Sequence, residues 1–270
     1  MNEIEFEKII AFITEKIGII PRESHKFGIS KFVEKKIATL GFGNYFMKIQ
    51  TEKEEFDELV NGSTVNETYF FREEKQFELL RSKIFPEWIN RHGAEPIRIW
   101  SAACSEGEEA YSLALLASHC RVKPLILASD INTAVLEKCR NGVFKPSTVR
   151  AGDGEKFKYL LQRYTNPHGE IVFDDSVKSA VSTKKINLTR IGGDDVKIEK
   201  QNVIFVRNVF IYFSRKTRAE ILKALAEKYL ADGGLIFVSM NEIAQIDSEM
   251  TPASLTKIAD GNVFYFMKTN

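Results

Sequence analysis

Three stretches of the 270-residue chain place several reactive side-chain types close together. "IRIWSAACSEGEEAYSLALL", residues 97 to 116, reads as an apolar strand, a loop and a helix, and its loop holds Gly107 among Glu106, Glu108 and Glu109. "LILASD" ends on Asp130, roughly twenty residues past Gly107, the spacing at which a carboxylate meets a ribose in nucleoside-binding α/β sheets. Farther on, "VIFVRNVFIYF" interrupts an apolar run with Arg207 and Asn208 and follows it with Tyr212. An arginine in such a run must be paired or must reach water.

The acids around Gly107 decide what kind of ligand fits. A helix N-terminus attracts anions, but a phosphate here would compete with three carboxylates. A dinucleotide site needs three glycines and a P-loop needs Gly-Lys-Ser/Thr, and this loop has neither. The loop therefore favours a ligand without phosphates, and one with positive charge would suit it. S-adenosylmethionine, with a sulfonium, an ammonium and a nucleoside, meets both conditions. Each acid could also simply complement the helix dipole, and Asp130 could N-cap the helix that follows.

Positioning these groups requires an α/β frame. "IRIW", "PLILASD", "NVIFVRNVFIYF" and "GLIFVSM" are short apolar strand candidates. "GEEAYSLALLASHC", "NTAVLEKCR" and "RAEILKALAEKYL" between them are amphipathic helices. That alternation predicts parallel βαβ units and a doubly wound, Rossmann-like sheet over residues 96–270. Residues 145–185 break the rhythm, and "GEIVFDDSVKSAVSTKK" reads as an antiparallel β-subdomain inserted there. Residues 1–60 carry helical spacing (Ile4, Phe6, Ile9, Ile10, Phe12, Ile13, then Phe32, Val33, Ile37, Leu40) and predict a small helical domain whose first helix Pro21 ends. Residues 61–95 are a turn-rich linker and a leading helix marked by Phe77, Leu80, Ile84 and Trp88.

Composition narrows the function classes. The chain has 38 basic and 37 acidic residues, a formal charge of +1, so bulk attraction to nucleic acid or a membrane is not expected. Its 3 cysteines form no CxxC pair and its 4 histidines are scattered, which argues against a disulfide framework and a metal site. The acidic start "MNEIEFEKII" lacks the positive charge of a signal peptide, and no apolar run has the length of a membrane span. A cytoplasmic protein without membrane insertion is expected.

Read together and in order, "NETYFFRE", "IWSAACSEGEEAYSLA", "ASDINTAVLEKC", Asn187–Leu188 and "VRNVFIYF" resemble the CheR family, the chemotaxis receptor glutamate methyltransferases, over essentially the whole chain. The resemblance implies S-adenosylmethionine as cofactor, S-adenosylhomocysteine as product, and the cytoplasmic helices of a chemoreceptor as partner, with a monomeric enzyme. By position it implies that Asn66, Thr68 and Arg72 touch the cofactor and line the transfer site. Glu109 would bind the cofactor, Asp130 would hold its ribose, and Asn187 and Leu188 would flank the adenine. Arg207 and Asn208 continue the wall, and Tyr212, with Arg72, would act at the transfer step. Departures fall at Ala110, where the family usually has proline, and at Ser239–Met240–Asn241, before Glu242.

A glutamate acceptor is already ionised at neutral pH, since its free pKa is about 4.3, so the transfer needs alignment rather than a general base. Lys31, Lys35 and Lys36 on the second helix would attract an acidic acceptor helix. The alternative is a divergent or catalytically silent cofactor-binding regulator. A nucleic-acid methyltransferase is disfavoured by "RNVFIY" and the neutral charge, and a dinucleotide oxidoreductase by the single glycine.

Overall fold

The computed structural model describes residues 1–269. Four helices come first: α1 (Glu3–Ile17), α2 (Glu23–Leu40), α3 (Phe42–Thr51) and α4 (Lys53–Ser63). Asn2 caps α1 in a capping box with Glu5, and Gly18 ends it in the left-handed conformation, ahead of Pro21. The inward stripes of these helices, including Ile9, Ile13, Ile29, Val33, Tyr45, Ile49 and Leu59, form a core of their own. Then α5 (Glu74–Leu79), a π-helical turn (Leu80–Ile84) and α6 (Phe85–His92) run on without a break.

The sheet alternates with helices as expected: β1 (Ile97–Ala102), α7 (Glu108–His119), β2 (Pro124–Asp130), α8 (Thr133–Asn141), then a two-strand ribbon of β3 (Val143–Phe144) and β4 (Ile171–Val172). A short helix α9 (Asp175–Lys178) leads to β5 (Val181–Lys185), β6 (Gln201–Val206), α10 (Arg215–Ala224), β7 (Leu230–Val238), α11 (Met240–Ile243), β8 (Leu255–Asp260) and β9 (Val263–Lys268). The 7-stranded order is β5-β2-β1-β6-β7-β9-β8. Strands β5 through β7 in that order pair in parallel, and β9 and β8 close the far edge antiparallel.

The inserted β-subdomain differs from its expected extent. The ribbon begins at Val143 and pairs Val143 with Val172 and Phe144 with Ile171. Val181–Lys185, expected to belong to it, instead pairs in parallel with β2 as an edge strand of the main sheet. The other strands read correctly because β1 and β6 are buried on both faces, between a core containing Phe77, Leu113 and Phe205 and one containing Trp100, Phe210 and Leu222.

Chain order reverses at β1, with β2 on one side and β6 on the other, so a crevice opens beyond their carboxyl ends. The helical bundle leans over that crevice. Ile131 packs against the bundle core, and Ile19 packs against both that core and the one containing Trp100. Polar links join bundle and sheet domain too: Thr133 donates its N–H to Asn61 Oδ1 at 2.9 Å, Asn132 Nδ2 donates to Thr64 Oγ1 at 2.7 Å, and Ile20 N–H donates to the Tyr212 carbonyl at 2.8 Å.

Candidate active site

The loop between β1 and α7 alternates three left-handed residues, Ala103 (φ 68°), Ser105 (φ 52°) and Gly107 (φ 109°). Gly107 is required twice over. Its φ disfavours any side chain, and a Cβ there would lie 2.6 Å from Cys139 Sγ on α8. The tight loop aims the Ser105 N–H at Asp130 Oδ2 (2.9 Å), while the Asn132 N–H meets Oδ1 (2.9 Å). Asp130, buried at the end of β2, is thus held in one orientation. Burial pushes its carboxyl up, and the Asn132 and Ser105 amides partly offset that. Asn132, not Asp130, caps α8 by accepting from Ala134 and Val135.

Glu109, on the first turn of α7, accepts from Ser101 Oγ at 2.6 Å and from Arg207 Nε at 2.6 Å. Arg207 follows β6 and is 5% exposed, so its charge needs full compensation. Its Nη1 donates to the Arg72 carbonyl and to Gln76 Oε1, both at 2.9 Å, and Glu73 stands 3.7 Å away. The rings of Phe205 and Phe77 flank the guanidinium at 5.3 and 5.6 Å. One cation therefore ties β6, α7 and the segment from Arg72 to Gln76 together.

The next turn is set by a second buried acid. Asn208 is left-handed (φ 56°), its N–H donates to Glu242 Oε2 at 2.7 Å, and Ile211 N–H donates to Oε1 at 3.0 Å. Ser239 accepts from Asn208 Nδ2 at 3.1 Å and donates to Glu73 Oε1 at 2.5 Å. These bonds fix the 3₁₀ turn Phe210–Tyr212 and so place the Tyr212 ring in the cleft, 5.6 Å from the ring of His25. Burial pushes the Tyr212 hydroxyl up, against the pull of Arg22 and Arg72, so it keeps its proton at neutral pH.

Ten expected residues line this one cleft: Asn66, Thr68, Arg72, Glu109, Asp130, Asn187, Leu188, Arg207, Asn208 and Tyr212. Three other expectations change. Of the three loop acids only Glu109 faces the cleft; Glu106 pairs with Lys138 on α8, and Glu108 turns into the core. Lys31, Lys35 and Lys36 are not part of the lining. Lys31 and Lys35 are exposed, whereas Lys36 is engaged by Glu55 (2.9 Å) and Glu58 of α4, so its charge serves the bundle and not an acceptor. The wall formed by Ile17, Ile19, Pro21 and His25 was not anticipated, nor were Gln76, Glu73 and Ser239 as supports.

Glu108 yields a pH prediction. It is fully buried and neither carboxylate oxygen has a hydrogen-bond partner of good geometry, although Thr68 approaches closely enough to favour the charged form slightly. Desolvation raises its pKa to about 7. The folded state thus holds this proton more tightly than the unfolded chain, and stability is lost as pH rises from about 4.3 towards 7. A Glu108→Gln variant, which never ionises, should exceed the wild type by only about 1 kcal/mol at pH 5 and by about 3–4 kcal/mol at pH 8 in urea unfolding. Equal stabilities at both pH values would show that Glu108 is not a strained acid.

The cleft suits a cationic nucleoside. It offers an anchored carboxylate (Asp130), an apolar strip (Ile131, Ile186, Leu188) and acids, and the charge of Arg207 is already paired with Glu109. The model of the CheR methyltransferase SAM-binding domain matches residues 66–258. The chain belongs to the CheR family. Across this CheR chain, the chemotaxis protein methyltransferase 2 of Vibrio cholerae is 32% identical, covering 90% of this chain and 88% of its own. The chemotaxis protein methyltransferase of Borreliella burgdorferi is 33% identical, covering 88% and 87%. Among solved structures, the rRNA methyltransferase AviRa from Streptomyces viridochromogenes is a distant likeness, with a TM-score of 0.41, 15% identity, and 77% of this chain and 88% of that chain covered. As a CheR protein the chain is a methyltransferase that uses S-adenosylmethionine. No helix among the described residues is long and apolar enough to cross a membrane.

Proposed function

We propose that this CheR protein transfers methyl groups to glutamate side chains of a chemoreceptor's cytoplasmic helices, forming methyl esters. The observation that carries the reading is that Arg72 and Tyr212, whose hydroxyl keeps its proton, line the same cleft as Asp130 and Glu109. The cofactor supplies an electrophilic methyl group. Asp130 holds the ribose, Asn187 and Leu188 flank the adenine, and Glu109, oriented by Ser101 and Arg207, faces the amino-acid end. Asn66, Thr68 and Asn208 complete the wall.

On the acceptor side, the Tyr212 hydroxyl donates to the incoming carboxylate and fixes which oxygen attacks. Arg72 is held by the Glu67 carbonyl at 2.9 Å and sits 5.4 Å from the Tyr69 ring, which keeps its charge beside the carboxylate without a full bidentate clamp. A tight clamp would stabilise the ground state and slow the step. The apolar residues from the helical bundle limit water in the cleft, where an anion and a cation neutralise each other. Exposed Lys31 and Lys35 speed encounter with an acidic helix.

Purified protein, a receptor cytoplasmic fragment and labelled cofactor test the reading. Base-labile methyl esters on glutamates support it; their absence, with intact cofactor binding, would favour a silent regulator. In the same assay Tyr212→Phe and Arg72→Ala should lower turnover about a hundredfold, the size of one lost electrostatic contact in a transition state. Cofactor-product affinity should stay within about threefold for Tyr212→Phe, which keeps the ring.

A further inference from the structure

At the rim of the cleft a second arginine stands beside the first. Arg150, from the insertion just past β3, lies with its guanidinium 4.5 Å from the centre of the Tyr69 ring, and Arg72 lies 5.4 Å from the same ring. Tyr69 is fixed in turn, because its hydroxyl donates to Asp153 Oδ2 at 2.9 Å and Asp153 also accepts the N–H groups of Glu73 and Glu74. Stacking on an anchored ring holds a guanidinium in place without consuming its donors.

Arg150 is under-used. Among the described residues its one hydrogen bond runs from Nη1 to Glu67 Oε1 at 2.9 Å, out of the five N–H donors a guanidinium carries. Both partners are about half exposed, 45% for Arg150 and 57% for Glu67, so the pair contributes little to stability and exchanges readily. Glu67 itself lines the cleft. A glutamate carboxylate of the chain therefore already rests on Arg150 at the rim of the cleft.

We infer that Arg150 is a specificity-determining residue that binds a second carboxylate on the acceptor segment, near the glutamate that is methylated, with Glu67 as its resting substitute. The inference rests on the acceptor being acidic, as proposed above. The incoming carboxylate displaces Glu67 and takes the free edge of the guanidinium. A segment with a lone glutamate gains nothing from Arg150, while one with a correctly spaced second acid is held in register.

The test uses the full chain loaded with S-adenosylhomocysteine and synthetic helical peptides, with binding read by fluorescence anisotropy. Each peptide has a central glutamate and a second one three, four or seven residues to either side, and each is matched by a counterpart with glutamine at the second position. In the wild type at least one spacing should bind about fivefold tighter than its counterpart, the range of a partly desolvated charge pair. Arg150→Ala should erase that gain and leave the glutamine peptides within about twofold, while Glu67→Gln should tighten the two-glutamate peptide. No spacing preference in the wild type, or a preference that survives Arg150→Ala, overturns the inference. Methyl-ester formation is followed on the same peptides in separate reactions with S-adenosylmethionine in place of the product. Esters without coupling to Arg150 would sink the inference alone, and coupling without esters would sink the glutamate reaction and leave the docking residue standing.

Discussion

An Arg207→Ala variant is expected to melt about 10 °C below the wild type and to bind S-adenosylhomocysteine too weakly to measure. Removing one member of a buried ion pair costs about 3–5 kcal/mol, because the remaining charge stays buried without its partner. In a chain of this size each kcal/mol shifts the midpoint by about 2–4 °C. Here the remaining groups are Glu109, bonded at 2.6 Å, Glu73 at 3.7 Å, and the acceptors Gln76 Oε1 and the Arg72 carbonyl. The same loss frees Glu109 to rotate and loosens the backbone at Arg72, so binding falls with stability. Arg207→Lys should recover little, since an ammonium cannot serve Glu109 through Nε and two other acceptors through Nη1. Calorimetric scanning with and without the product decides it. A variant melting within about 2 °C of the wild type would mean that the hub is ornamental.

The second large effect is placed on Asp130. Asp130→Ala should weaken S-adenosylhomocysteine binding about a thousandfold, the sum of two hydrogen bonds from ribose hydroxyls to a charged acceptor. Both carboxylate oxygens are already oriented by backbone amides at 2.9 Å, so the Asp130 side chain itself has little conformational entropy to lose on binding. Asp130→Asn tests the geometry separately. Its amide nitrogen must face either the Ser105 or the Asn132 N–H, donor against donor, so it should lose nearly as much as alanine. A 2′-deoxy product analogue closes the cycle. It should bind the wild type poorly and the Asp130→Asn variant no worse than the parent ligand does. Full additivity of the two losses would place the ribose elsewhere.

The sheet and the cleft were legible to different degrees. Strands β1, β2, β6 and β7 are apolar runs because their faces are covered, and such runs are visible in a sequence. β5 was assigned to the ribbon because it is an edge strand: Val181 and Thr183 are partly buried while Ser182 and Lys185 face water. The resulting alternation is what an antiparallel strand shows. Among the acids at Gly107, Glu108 and Glu109 are helical neighbours about 100° apart, and nothing local tells which one faces the cleft. Lys36 looked free because its partners lie on another helix, with Glu55 19 residues away. Gln76, Glu73 and Ser239 left no signal beyond being polar, since their role exists only once β6, β7 and α5 are assembled. Glu242 was visible only as the end of the divergent "SMNE", and its two backbone hydrogen bonds explain why an acid survives there.

The helical bundle and the sheet have separate cores, and the bundle supplies one wall of the cleft through Ile17, Ile19, Pro21 and His25. A ligand in that cleft touches both bodies, which are otherwise joined by polar bonds such as Ile20 to Tyr212 and Thr133 to Asn61, the Lys185–Asp57 ion pair, and the packing of Ile19 and Ile131. Any undocked fraction therefore weakens the cofactor's grip, because apparent affinity is the intrinsic affinity multiplied by the fraction of molecules in which bundle and sheet are already docked. A change on the bundle far from any ligand atom, at Asn61 for example, alters apparent affinity by shifting that fraction. The amino-terminal helices thus act as a thermodynamic partner of the nucleoside pocket, and whatever holds them in place tightens the cofactor's grip.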